Sequence, residues 1–366
     1  RLEAAAGMAL NSFRAHYYLG LALNAARRFP EAVVALEVAL DLDPTQVNAH
    51  VALGDAWLRG GDADEAGSKA LFEACRAAGV NVFDCADMYS RGRAEEILGG
   101  LIADCREEVL ITSKVYFPAG PDVNAMGASR RRVMVAVESS LRRLRTDRID
   151  IYYIHRFDDR TPLEETLRAF DDLVRQGKVV YTGASNFAAW QVAKGLGISA
   201  KDGLAAFACI QPMYNLVKRQ AESEILPMSE AEGLGVFPYG PLAGGLLSGK
   251  YGVSRRPDSG RLIDNKIYGT RYADALNYEV ADRFAAFARE RGHDPAALAV
   301  AWAASHPAVT APIVGARNTA QLTPLLAAVD IPMTPALRTE ISALSPEPAP
   351  ATDRNEERTG TNFGVR

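Results

Sequence analysis

The sequence predicts an α/β protein whose strands run parallel, as an open sheet or a (β/α)8 barrel, behind an N-terminal α-helical repeat segment. Three observations carry that reading. From residue 70 onward, short β-rich runs alternate with helical patterns, as parallel strands require because each crossover needs a connecting element. Several of those runs end in Asp, Lys or His, the placement expected when the carboxyl ends of parallel strands build a site. Residues 13–66 also echo themselves at an offset of 34. Ala15 and His16 return as Ala49 and His50, Leu19 and Gly20 as Leu53 and Gly54, Ala22 as Ala56, and Glu31 and Ala32 as Glu65 and Ala66.

Each unit of the echo reads as two antiparallel helices, with small residues on the first letting the second pack closely, and LDLDPTQ (residues 40–46) as the turn between units. The pattern resembles the tetratricopeptide repeat over residues 13–66, which implies a surface for a protein partner. Such arrays usually need about three units. Fewer than two are present, so the array is expected to be cut at its amino end or to lean on its neighbour; the start at Arg1 rather than Met reads as a piece of something longer. VALGDAWLRGG, residues 51–61, reads either as a second-unit helix or as a barrel strand. The 34-residue period and the good helix formers favour a helix over 49–59. Residues 63–78 would then serve as both the second helix of that unit and the first of the α/β domain.

Strands are expected at 80–84, 108–113, 149–155, 179–184, 207–211, 234–238 and 311–314, which is one fewer than a barrel needs. Between them, LEETLRAFDDLVRQG (163–177) carries acids in its first turn and a Gly stop, as helix ends prefer. The tail SPEPAPATDRNEERTGTNFGVR is Pro-rich and then charged, a composition expected to stay disordered. The expected divisions are a repeat segment at 1–62, an α/β domain at 63–345 and a tail at 346–366.

Composition removes several function classes. The net charge is −4, with no basic face of the kind nucleic acid requires. No apolar run approaches the ~18 residues of a membrane span and no signal peptide is visible, so a cytoplasmic location is expected. Cys75, Cys85, Cys105 and Cys209 show no CxxC spacing; free thiols are expected, and no metal.

The chemistry concentrates in GVNVFDCADMYSRGRAEEILG, residues 79–99. Its strand ends in Asp84, and Tyr89 follows on the loop. The next strand ends ITSK, at Lys114, and the third ends IYYIH, at His155. Parallel strands bring all four to one face. His16, His50, His293 and His306 lack this context and are expected to be ordinary.

In order and context these four residues, with FDCADMYS, IHRFDDRTPLEETL and GASNFAAWQ, resemble the aldo-keto reductase family over roughly residues 66–345. The resemblance implies a TIM-type (β/α)8 barrel, here short of its first strand, that transfers hydride between NADPH and a small-molecule aldehyde or ketone. A carbonyl receiving hydride develops oxyanion charge and needs a proton donor beside it. Tyr89 would be that donor, Lys114 would lower its pKa, Asp84 would hold Lys114, and His155 would orient or polarise the carbonyl.

The same resemblance implies how NADP(H) is held, extended across the barrel mouth without a Rossmann domain. Ser185, Asn186 and Gln211 would bind the nicotinamide carboxamide, and Tyr239 would stack on the ring. Gly240, Leu242 and Lys250 would line the pyrophosphate path. Gly315, Arg317 and Gln321 would meet the adenosine phosphate, a guanidinium there favouring NADPH over NADH. GLGISA, residues 195–200, fits a dinucleotide fingerprint but follows a helical stretch rather than a strand, so it is set aside. Gly240 stands where the family commonly has Ser, and Pro324 and Leu325 where it usually has Glu-Asn against the adenine. The family's opening Leu-Gly-x-Gly-Thr strand has only VALGDAWLRGG to match it. Two other functions are therefore expected as rivals: a regulatory nucleotide-binding, redox-sensing barrel resembling the potassium-channel β subunits, and a repeat-based interaction protein with a truncated barrel.

Overall fold

The computed structural model describes residues 65–120 and 122–351, with 12, 16–19, 22, 23, 28, 32, 35, 36 and 39 from the N-terminal segment. Six strands form one parallel sheet in sequence order: β1 Val82–Asp84, β2 Leu110–Val115, β3 Ile149–Ile154, β4 Val179–Ser185, β5 Phe207–Gln211 and β6 Gly235–Val236. Between them lie helices α1 Glu65–Ala77, before β1, α2 Arg93–Leu101, α3 Arg130–Leu144, α4 Leu163–Arg175, α5 Ala189–Asp202 and α6 Ile225–Ala231. After β6 come α7 Arg261–Asp264, α8 Lys266–Arg271, α9 Ala275–Glu290, α10 Pro295–Ala304, α11 Thr319–Leu326 and α12 Pro335–Ser342.

Local chemistry explains these elements. β3 is buried along its whole length and β2 along all but its first residue, as strands covered on both faces must be. α4 buries Leu163, Thr166, Leu167, Phe170 and Leu173, a spacing of three and four that lays one face on the sheet. Glu164 and Glu165 in its first turn complement the helix dipole. α10 starts at Pro295 behind Asp294, whose carboxylate accepts from the N–H groups of Ala296 and Ala297, and it is buried on nearly every side.

The run expected as a strand at 311–314 forms instead a single parallel bridge, Ile313 to Tyr239. It still follows β6, since Thr310 donates to Val236 O and Ile313 to Pro238 O, both through the backbone. Pro312 and Pro238 lack N–H groups, and that breaks the ladder. GLGISA lies inside α5, as its helical context implied.

In the interior of the sheet, Ile151, Tyr153 and Cys209 pack with Phe237. Gly183 makes room for them: a Cβ there would lie 2.5 Å from Tyr153 Cε1. Gly183→Ala is expected to cost about 1–3 kcal/mol by overpacking, read as a lower denaturation midpoint with unchanged slope.

In the N-terminal segment, the described residues 16–19, 22, 23, 32, 35, 36 and 39 are helical, and Leu23, Ala32, Ala35 and Leu36 form a small separate apolar cluster. The expected second unit and the helix over 49–59 lie outside the described residues, apart from Glu65 and Ala66 in α1. So does most of the tail: residues 346–351 run as irregular backbone, with Ser223 Oγ donating to Ala349 O at 2.7 Å, and 352–366 are not described.

Candidate active site

The register of the sheet decides what meets at its carboxyl end. Asp84 pairs with Thr112, Lys114 with Tyr153, and Ser185 with Gln211, so the carboxyl ends of β1, β2, β4 and β5 share one rim with His155, which follows β3; Lys114 is the residue before the last of β2. Lys114 is fully buried. Its ammonium lies 2.5 Å from Asp84 Oδ2, donates to Cys85 O at 2.7 Å and stands 3.5 Å from the Tyr89 hydroxyl. The other Asp84 oxygen accepts from Thr112 Oγ1 at 2.6 Å and Gln211 Nε2 at 2.9 Å. His155 meets Tyr89 edge-on at 5.9 Å and Phe117 at 4.9 Å between ring centroids.

These surroundings set the ionisation states. Burial is the largest influence on His155, and with the nearby Lys114 charge it drives the pKa down to about 3, so the ring is neutral at physiological pH. Its Nδ1 is buried with no hydrogen-bond partner among the described residues. Burial would also lower Lys114, but the Asp84 carboxylate and the Tyr89 oxygen overcome it and hold the ammonium above its ordinary value. Tyr89 departs from expectation. Burial of the phenol outweighs the pull of Lys114, and its pKa is raised rather than lowered. The physical reason is that the ammonium is already engaged by a carboxylate at 2.5 Å, which leaves less net charge to act on a hydroxyl at 3.5 Å.

A second group of expected residues joins the same network. Ser185 Oγ donates to Gln211 O at 2.9 Å, and Asn186 Nδ2 donates to Ser185 Oγ at 3.1 Å and His155 O at 2.9 Å. The Tyr239 hydroxyl donates to Asn186 Oδ1 at 2.7 Å. Asn186 holds a left-handed backbone, φ 55°, which suits Asn better than most residues and turns its amide into the rim. Gly240 has φ 70°, and nothing lies within 4 Å of where its Cβ would be. A serine there would be strained.

The remaining expected residues lie apart from this network. Leu242 is half-buried, while Lys250, Gly315, Arg317 and Gln321 are exposed. Lys250 Nζ lies 5.5 Å from the centre of the Tyr251 ring. Arg317 and Gln321 flank the start of α11: the Arg317 N–H donates to Gln321 Oε1 at 3.2 Å, and the guanidinium is 3.6 Å from Asp264 on α7. Leu325 faces inward against Ala296, Val300, Ala301 and Ala328. Thr112 was not among the expected residues, although it stands two before Lys114 and so on the same side of β2.

Residues 51–345 match the Aldo/keto reductase family. The match takes in 51–64, ahead of α1. A probable voltage-gated potassium channel subunit beta of Oryza sativa subsp. japonica is 36% identical over 288 residues, 75% of this chain and 86% of that protein. An uncharacterized oxidoreductase of Bacillus subtilis is 34% identical over 303 residues, 79% and 90% of the two chains. The versiconal hemiacetal acetate reductase of Aspergillus parasiticus is 32% identical over 296 residues, 74% and 84%. With so much of the chain matched, and with a Lys–Asp–Tyr–His cluster at the carboxyl rim of a parallel sheet, the chain belongs to the aldo/keto reductase family of oxidoreductases.

Proposed function

We propose that this chain reduces aldehyde or ketone carbonyls with NADPH, reversibly. The observation that carries the reading is the buried Lys114 ammonium held between Asp84 and the Tyr89 hydroxyl, with a neutral His155 edge-on to that phenol. The nicotinamide cofactor would supply the hydride. Tyr89 gives its proton to the developing alkoxide, and Lys114 stabilises the phenolate left behind. His155, neutral, donates a single hydrogen bond to the carbonyl oxygen without bringing a second positive charge beside Lys114.

The residues present fit the cofactor. His155 Nδ1 and the Asn186 and Gln211 amides converge on one rim, and Gly240 leaves an open cradle. Ser185, Asn186 and Gln211 would hold the carboxamide, with Tyr239 against the ring and Gly240, Leu242 and Lys250 along the pyrophosphate. Gly315, Arg317 and Gln321 would take the adenosine phosphate beside the α11 N-terminus, where N–H groups favour an anion. With Leu325 turned into the core, adenine would be gripped less than the phosphate end.

A panel of aldehydes, quinones and keto-sugars assayed for NADPH consumption tests this function; no turnover with any of them rejects it. Cofactor choice is a separate test. NADPH is expected to bind about ten- to a hundredfold tighter than NADH, the scale of one charged phosphate contact, and Arg317→Ala should erase most of that difference. Equal affinities in the unsubstituted chain reject the assignment of Arg317.

The likeness to probable potassium channel β subunits favours one alternative, a barrel that binds nucleotide to report redox state. Tight NADPH binding without steady-state turnover would be its signature. A protein partner at the N-terminal segment, over a domain division at 1–62 and 63–345, remains part of the proposal.

A further inference from the structure

Behind the rim, a second set of charges is buried that the chemistry above does not use. Asp87 is 2% exposed and Arg132 6%, and the two form an ion pair between the Tyr89 loop and α3. Beside them Glu95 of α2, fully buried, accepts from Ser113 Oγ at 2.5 Å and from Arg143 Nε at 2.7 Å. Tyr152 of β3 completes the cluster; its hydroxyl feels the Asp87 and Glu95 charges. Three polar atoms of this cluster, Asp87 Oδ1, Arg132 Nε and the Tyr152 hydroxyl, are buried with no hydrogen-bond partner among the described residues. A polar network so thinly satisfied depends heavily on each bond it does make.

The position of Asp87 gives that dependence a consequence. The loop is fastened to β2 by Cys85 N–H to Thr112 O and Asp87 N–H to Lys114 O, at 3.0 and 3.3 Å. The next backbone bonds, Tyr89 N–H to Ala86 O and Arg91 N–H to Met88 O, stay within the loop. Ser90, Arg91 and Gly92 then follow with φ of 45°, 55° and 89°. Left-handed non-glycine residues cost roughly 1–2 kcal/mol each and persist only when their surroundings enforce them. Tyr89 therefore sits between a strained turn and the Asp87 anchor.

We propose that Asp87 and Arg132 are positioning residues for the proton donor: their buried pair ties the Tyr89 loop to α3 and holds the phenol in reach of Lys114. This rests on the reading of Tyr89 as proton donor. The groups facing Asp87 are Arg132 and Arg143 from α3, Glu95 from α2 and Tyr152 from β3. Burial outweighs the two arginines and raises the Asp87 pKa to about 6. Because the pKa is higher with Asp87 buried than with it free in water, a proton is bound more tightly with the loop in place, and acid does not release the loop. What ties Tyr89 to α3 is the geometry of the pair, the Asp87 carboxylate against the Arg132 guanidinium inside a cluster with few other bonds.

The test compares the full chain with Asp87→Asn, Asp87→Glu and, in case an unpaired Arg132 prevents folding, Asp87→Asn/Arg132→Gln. Three measurements are needed: kcat and KM, NADPH affinity, and hydrogen exchange of residues 85–92. We expect Asp87→Asn to lower kcat about ten- to a hundredfold, the scale of a misplaced catalytic group. KM and NADPH affinity should stay within about twofold, exchange should quicken in 85–92 alone, and Asp87→Glu should restore part of the rate. Unchanged kcat, a KM that rises as much as kcat falls, or unchanged exchange overturns the proposal. If the unsubstituted chain consumes no NADPH with any carbonyl, the proposed function fails, and the exchange measurement still decides whether the pair holds the loop.

Discussion

Tyr89→Phe should lower kcat by two or more orders of magnitude, the scale of a lost general acid, while NADPH affinity stays the same. The substitution removes one oxygen, which lies 3.5 Å from Lys114 and is raised in pKa by burial. A raised pKa makes the phenol a weaker acid in the resting site but a more complete proton carrier: it stays protonated well past neutral pH and gives up its proton only as alkoxide charge develops beside it. The rate should therefore hold up further into the alkaline range than an ordinary tyrosine would allow. Turnover above about half that of the unsubstituted chain would remove Tyr89 from the mechanism.

Lys114→Met should abolish turnover and destabilise the fold by about 3–5 kcal/mol, the cost of breaking a buried ion pair from one side. The methionine fills the space of the stem but leaves Asp84, 13% exposed at its side chain, without its cation. Adding Asp84→Asn to Lys114→Met removes the unpaired charge, so the double variant should recover most of the stability and none of the rate. Urea midpoints and turnover for the two variants separate the lysine's structural part from its chemical one. A double variant as unstable as the single would mean that the pair contributes little to the fold.

Much of the site was legible because its parts lie at strand ends. Asp84, Lys114 and His155 each close a run of alternating or continuous apolar residues, and parallel pairing brings such ends together without further information. Ser185, Asn186, Gln211 and Tyr239 were legible only through family likeness; nothing in their spacing told of the chain of hydrogen bonds that joins them. The net acidity of Tyr89 was not legible, since it is a contest between burial and a charge whose strength depends on how firmly Asp84 already holds it. The Asp87–Arg132 pair joins residues 45 positions apart, and nothing in the run Arg130, Arg131, Arg132 marks which of the three turns inward. The 311–314 run shows the converse error. Its apolar, β-branched residues looked like a strand, and two prolines reduced it to a bridge.

The Asp84 carboxylate, gripped at once by Thr112, Lys114 and Gln211, bears on how such an enzyme can change over generations. Thr112 is buried, and a change there alters how much of the carboxylate's charge is left to restrain Lys114. Thr112→Val removes one of the two donors on Asp84 Oδ1, leaving Gln211 on that oxygen and more of the carboxylate's charge to act on the ammonium. Turnover thus becomes a graded trait that drift or selection can adjust by small steps in the scaffold, while Asp84, Tyr89, Lys114 and His155 themselves stay untouched.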